Sequence, residues 1–143
     1  MQVTEKPIKI SSYQYTDVTP EQSIREINEM LVKFEAGNIY WNQMNPDDSF
    51  ILFEINEKGQ RLIFKISIPT KGMTSEAQSL RVLYYKIKSL LIDLELGSKV
   101  YEIFANNLVI SWNKSHPISI GESNSKMIQD GKANDIYLPY KQV

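Results

Sequence analysis

An α+β domain built on a small antiparallel sheet is predicted by three features of the sequence: an early capped amphipathic helix, two β-rich runs around a glycine-containing turn, and a long apolar helix after them. The helix start is marked by Thr19 as N-cap, Pro20 at the first helical position and Gln22 three residues after the cap, a capping-box pattern. A helix over 20–36 follows, with Ile24, Ile27, Leu31 and Phe34 on one stripe, Glu29 and Lys33 paired opposite, and Gly37 available as the left-handed residue beyond its end. Ahead of it, residues 7–15 are read as a short first strand.

A strand is expected over 38–44, and Asn45 to Ser49 break it with strong turn formers. The hairpin spans 49–68 around Asn56 to Gln60. In its second strand Leu62, Phe64, Ile66 and Ile68 alternate with Arg61, Ile63, Lys65 and Ser67, so the sheet is expected to be covered on one side. Thr74 or Ser75 caps a helix over 75–97 that Gly97 ends. At 100° per residue, Leu80, Leu83, Tyr84, Ile87, Leu90, Leu91 and Leu94 form a broad apolar face, and Val82, Tyr85, Ile92 and Leu96 lie opposite. Arg81, Lys88 and Glu95 run down one flank, and Lys86 and Asp93 occupy the other. A helix apolar on two sides is normally sandwiched, so the second face is expected to meet either the segment 98–110, which carries a further helix over 98–108, or a second copy of the chain. The rest is polar and punctuated by Pro117, Gly121 and Gly131; a short β excursion and a helix near 122–130 are expected there. With 143 residues the chain reads as one domain, residues 1–7 and the C-terminal tail being its flexible ends.

Composition closes several classes of chemistry. The absence of cysteine removes disulfides, thiolate nucleophiles, zinc-thiolate sites and iron-sulfur clusters. A net charge of −1 and a pI near 5.9 argue against nonspecific coating of nucleic acid, which draws on many cation contacts to phosphate. No apolar run approaches the ~18 residues of a membrane span, and the N-terminus has no signal-peptide core, so a cytoplasmic protein with no membrane partner is expected.

No catalytic set emerges. His116 precedes Pro117 in the polar C-terminal third and reads as a loop residue. Asp47 and Asp48 ahead of the hairpin resemble half of a metal-dependent nuclease motif, but the second half fails, because Asn56-Glu57-Lys58 lacks an acid two residues before the lysine. No phosphate loop or serine-hydrolase elbow is present, so no enzyme activity, cofactor or metal site is expected. Aromatic residues near cations are the remaining binding candidates: Trp41 beside Tyr40, Tyr85 beside Tyr84 and close to Lys88, and Tyr137 and Tyr140 before Lys141. Arg61, Arg81 or Lys88 would meet a phosphate. The same flank of Arg81 and Lys88 also suits a salt-bridged border between packed surfaces.

The stretches "EINEMLVKFEAGNIYW", "GQRLIFKISIP", "RVLYYKIKSLLIDLELGSKVYEIFANNLVI", "ISIGE" and "DGKANDIYLPY" together resemble a family of small uncharacterised phage and mobile-element proteins. In that family the long helix opens with an Arg-Trp-Arg run. Arg81, Ile87, Lys88, Glu95, Gly97, Glu102 and Phe104 fit the pattern here, while Leu80 replaces the Trp and the first Arg is missing. The resemblance implies a setting, the cytoplasm of an infected bacterial cell, and assigns no residue a role. Two functions are carried forward. One is a non-catalytic accessory protein that self-associates and sequesters a host protein or a small nucleotide-like ligand, as in counter-defence; the alternative is a nucleic-acid-binding factor of phage replication or recombination.

Overall fold

The computed structural model describes residues 11–132. Four helices, α1 (Pro20–Lys33), α2 (Glu76–Glu95), α3 (Val100–Phe104) and α4 (Ile120–Gln129), surround two antiparallel sheets. The larger is β1 (Gly37–Asn42), β2 (Phe50–Glu57) and β3 (Gln60–Ser67) in that order. The smaller is a hairpin of β4 (Val109–Asn113) and β5 (His116–Ser119). The architecture is α+β, as the sequence predicts.

Local chemistry accounts for most of the boundaries. Thr19 accepts the Gln22 backbone N–H at 3.1 Å to cap α1, but the Gln22 side chain turns to Glu26 and does not return to the cap. Nor does Gly37 stop the helix. Glu35 takes the left-handed conformation at φ 65° while Ala36 N–H bonds back to Leu31, which leaves Gly37 to open β1. The β2–β3 turn is tighter than expected, because Lys58 and Gly59 alone make it, both at positive φ as a two-residue hairpin of the primed type requires. Ser75 caps α2, and Gly97 at φ 102° ends it.

Two expected elements are replaced. Residues 11–15 of the anticipated first strand form a turn with Tyr13 at φ 59°, and 7–10 lie outside the described residues. The helix expected over 98–108 is only one turn and a half long. α3 stops at Phe104, a 3-10 turn covers Ala105–Asn107, and Leu108 bridges to Phe64 of β3 as the chain enters β4. Backbone pairing with the edge of the larger sheet offers Leu108 more than another helical turn, and this tertiary contact is invisible to periodicity. The helix expected near 122–130 is α4, started by a Ser119/Glu122 capping box.

The core lies on one face of the larger sheet. Ile51, Phe53 and Ile55 of β2 and Phe64 and Ile66 of β3 meet Ile27 and Leu31 of α1, Leu80, Leu83, Ile87 and Leu91 of α2, and Phe104 of α3. At its centre Phe53, Phe64 and Phe104 pack with all three ring centroids 5.6 Å apart. The opposite face of the sheet is also covered at one end, contrary to the one-sided reading. Phe50 and Lys65, which alternate with core residues and so point away from them, are both buried. Their cover comes from β5 and α4. Lys65 Nζ donates to the Pro117 carbonyl at 2.9 Å and pairs with Glu122 at 2.9 Å, and it sits 4.8 Å from the Phe50 ring centroid. Asn107 closes the arrangement by donating to the Lys65 carbonyl at 3.0 Å. α4 starts so close to the 3-10 turn that a Cβ on Gly121 would meet the Asn106 carbonyl oxygen at 3.0 Å.

This latch is asymmetric, since Lys65 is 3% exposed while Glu122 is partly in solvent. Burial acts to raise the Glu122 carboxyl, but hydrogen bonds from Lys65 and from Ser119 outweigh it and hold the group below the usual carboxylate range. Its contribution is therefore complete above the ordinary carboxylate pKa and is lost as pH falls through the lowered value. Glu122→Gln, which leaves the buried ammonium without its counter-charge, is predicted to cost about 2 kcal/mol, less than a fully buried pair because Glu122 is half-exposed. Lys65→Met, which keeps the volume and frees Glu122 to water, is predicted to cost under about 1 kcal/mol. Urea denaturation across pH checks both: the Gln variant should show a flatter acid limb, and equal losses from the two variants would contradict the asymmetry.

Candidate functional site

The outer face of α2 gathers three of the residues that the sequence marks for binding. Arg81, Tyr85 and Lys88 lie within two turns, joined by Tyr84 from the same helix and Tyr13 from the turn before α1. Tyr13 stacks on Tyr85 with centroids 4.7 Å apart and planes within 8°, and Tyr84 meets Tyr85 edge-on at 4.9 Å. The turn is pinned there by Gln78, whose side-chain amide donates to the Ser12 carbonyl at 3.0 Å. The answer for the second face is thus divided. The chain's own residues 11–15 cover its N-terminal half, and the segment after α2 sends Phe104 into the inner core instead.

Arg81 is committed within this cluster. It is 6% exposed, its Nη2 pairs with Glu26 of α1 at 2.6 Å, and its guanidinium lies 3.9 Å from the Tyr84 ring centroid and 5.6 Å from that of Tyr85. It ties α1 to α2, which is the border role that its flank position suggests. Lys88 differs: it is exposed, with Nζ 5.8 and 5.9 Å from the Tyr84 and Tyr85 centroids.

Arg61 and Trp41 stand apart from the cluster. Arg61, next to the β2–β3 turn, forms an ion pair with Glu54 of the adjacent strand, and Glu54 also accepts from Asn38 at 2.8 Å. The Arg61 hydrogen bond, aided by Asn38, holds the Glu54 carboxyl below its usual range, and the same contact raises Arg61. Trp41 packs against the core cluster and donates its Nε1–H to Asn28 at 2.9 Å. A planar anion would thus find Lys88 as the open cation of the cluster, with one face of Tyr85 already occupied by Tyr13. Tyr137, Tyr140 and Lys141 lie outside the described residues.

Other polar groups come together where the sequence separates them. His116 Nδ1 lies 3.2 Å from Asp48 Oδ2, and the imidazole meets Phe50 edge-on with centroids 6.0 Å apart, on the same ring that Lys65 approaches. The residue read as loop filler therefore opens β5 and joins the 3-10 turn Pro46–Asp48 to the smaller hairpin. A cleft of about 360 Å³ opens over the start of α2 between Gln43, Ser49, Thr70, Thr74 and Glu76. Glu76 supplies an acid to that helix terminus and accepts from Gln43 at 3.3 Å, so the positive end of the dipole already has its counter-charge. Among the described residues, no group of three His, Asp or Glu side chains is placed to hold a metal ion, and no helix is long and apolar enough to cross a membrane.

Sequence reasoning passed over Lys65, Glu122, Glu26 and Tyr13. The Ser119-x-x-Glu122 capping box was a usable signal for Glu122, whereas Lys65 reads as an ordinary solvent-facing strand residue. No family model, curated protein or solved structure matches the chain.

Arg81→Ala removes a nearly buried ion pair and the surface under Tyr84, and is predicted to lower stability by about 2 kcal/mol. A denaturation midpoint equal to that of the unsubstituted protein would return Arg81 to the list of free binding groups.

Proposed function

We propose that this protein is a non-catalytic accessory protein that acts by association, forming a homo-oligomer through the outer face of α2 and holding a further partner in that state. The single observation that carries the reading is the exposure of the C-terminal half of that face. Ile92 is 44% exposed and Leu96 79% exposed, in line with Tyr85 on a rigid twenty-residue helix whose inner face is fully used by the core. An apolar stripe held on a well-packed helix is already ordered, so covering it costs little conformational entropy.

A role in holding partners rather than transforming them is supported by how the polar groups are used. The Arg81, Arg61 and Lys65 cations each have an acid partner, and His116 is turned to Asp48. The resemblance to phage and mobile-element proteins suggests the cytoplasm of an infected bacterium as the setting, with a host protein or a small nucleotide-like molecule as the partner. Lys88 beside Tyr84 and Tyr85 is the point at which an anionic group of such a molecule would be met.

Native mass spectrometry and sedimentation test the association directly. The unsubstituted chain is expected at a multiple of 16.5 kDa. Ile92→Glu and Leu96→Glu place a charge in the covered stripe and are each expected to weaken association more than tenfold while leaving the circular dichroism of the folded chain unchanged, because both side chains are exposed in the monomer; the thermal midpoint should fall only by the stabilisation that association supplied and become less dependent on concentration. A monomer at all concentrations, or variants that associate unchanged, would contradict the reading.

A further inference from the structure

The outer face of α2 has a finer pattern than its apolar stripe. Val82, Tyr85, Ser89, Ile92 and Leu96 follow one another at alternating spacings of three and four, the a and d positions of a heptad seam. With those positions at the centre, Lys86 and Asp93 fall at e, and Lys88 and Glu95 fall at g, all four exposed. These are the positions that choose the partner and its direction in a two-helix seam.

We infer that the partner on this face is a second copy of the chain, with the two α2 helices antiparallel about a two-fold axis between Leu90 and Leu91. The inference rests on the self-association proposed above and adds its geometry. In an antiparallel seam a-type residues face d-type residues, e flanks face e flanks and g flanks face g flanks. Tyr85 then meets Leu96 of the other copy, and Ser89 meets Ile92. Lys86 faces Asp93 and Lys88 faces Glu95, each twice by symmetry. Every flanking approach is between opposite charges.

The parallel alternative is worse on the same positions. It sets g against the e of the next heptad, so that Lys88 meets Asp93 favourably but Lys86 falls opposite Arg81, which is nearly buried and already paired with Glu26, and so finds no acid. Shape points the same way. The N-terminal half of the face carries the 11–15 turn, with Tyr13 stacked on Tyr85, and among the described residues the C-terminal half at Ser89, Ile92 and Leu96 is left open. Parallel pairing brings the two turns together and holds the helices apart. Antiparallel pairing sets each turn against the open half of the other copy, where Leu96 meets the Tyr13–Tyr85 stack.

Charge reversal at Lys86 separates the two arrangements without disturbing the fold, because the side chain is exposed. Lys86→Glu faces Asp93 in the antiparallel dimer and should raise its Kd about tenfold, whereas in a parallel dimer it falls opposite the nearly buried Arg81, already paired with Glu26, and should not raise the Kd. Asp93→Lys alone should also weaken the antiparallel dimer. An equimolar mixture of Lys86→Glu and Asp93→Lys chains should recover association as a heterodimer, since each copy then supplies the charge that the other lacks. Sedimentation equilibrium on the separate variants and the mixture, with native mass spectrometry to identify the heterodimer, gives the result. Tighter association of Lys86→Glu would overturn the antiparallel geometry and leave self-association standing. Unchanged association of Lys86→Glu would overturn the geometry, and if Ile92→Glu is unchanged as well, the proposed function falls with it.

Discussion

Seating one face of α2 on the larger sheet is the constraint on which the rest of the structure depends. Leu80, Leu83, Ile87 and Leu91 supply the helix side of the core, and Phe53, Phe64 and Phe104 fill the centre beneath them. A helix of twenty residues has a circumference to account for, and here the side away from the core is also apolar. The chain addresses this locally. Arg81 lays its guanidinium over Tyr84 and pairs with Glu26, Gln78 pins the turn at Ser12, and Tyr13 covers Tyr85. Those contacts reach only as far as the middle of the helix.

The second organising contact is the Lys65 latch, which accounts for the placement of the β4–β5 hairpin and α4. A two-stranded hairpin and a short helix bury little on their own. They are held because β5 and α4 together satisfy an ammonium that the sheet places on its far side, and because the Asp48–His116 contact and the close approach at Gly121 fix the same unit from two other directions. The arrangement makes a polar residue on a strand the anchor of a structural layer. It also couples that layer to pH through the carboxyl of Glu122.

The elements legible in the sequence were those set by local chemistry. Thr19-Pro20, Ser75, Gly97 and the alternation of β3 each act within a few residues and are found where they were expected. What periodicity missed was decided by distant partners. Leu108 continues a helical spacing from Val100 and Phe104, yet pairing with Phe64 turns the chain into β4. Lys65 alternates as a solvent residue should, but a segment fifty residues later covers it. Glu35 displaces Gly37 as the helix stop although it carries a Cβ, because the bond from Ala36 to Leu31 and the burial of Ala36 favour ending the helix there. The candidate site was half legible: Arg81, Tyr85 and Lys88 do share a face, while nothing in their spacing announced that Tyr13 and Glu26 would already occupy two of them.

The central claim, that the open half of the α2 outer face is covered by another copy, is tested most directly by following backbone 15N–1H shifts of the unsubstituted protein through a dilution series. The account predicts concentration-dependent shifts concentrated at Tyr85, Ser89, Ile92 and Leu96 and in the 11–15 turn, with the β4–β5 hairpin still. Shifts absent from α2, or centred on the hairpin around Trp112, would contradict it.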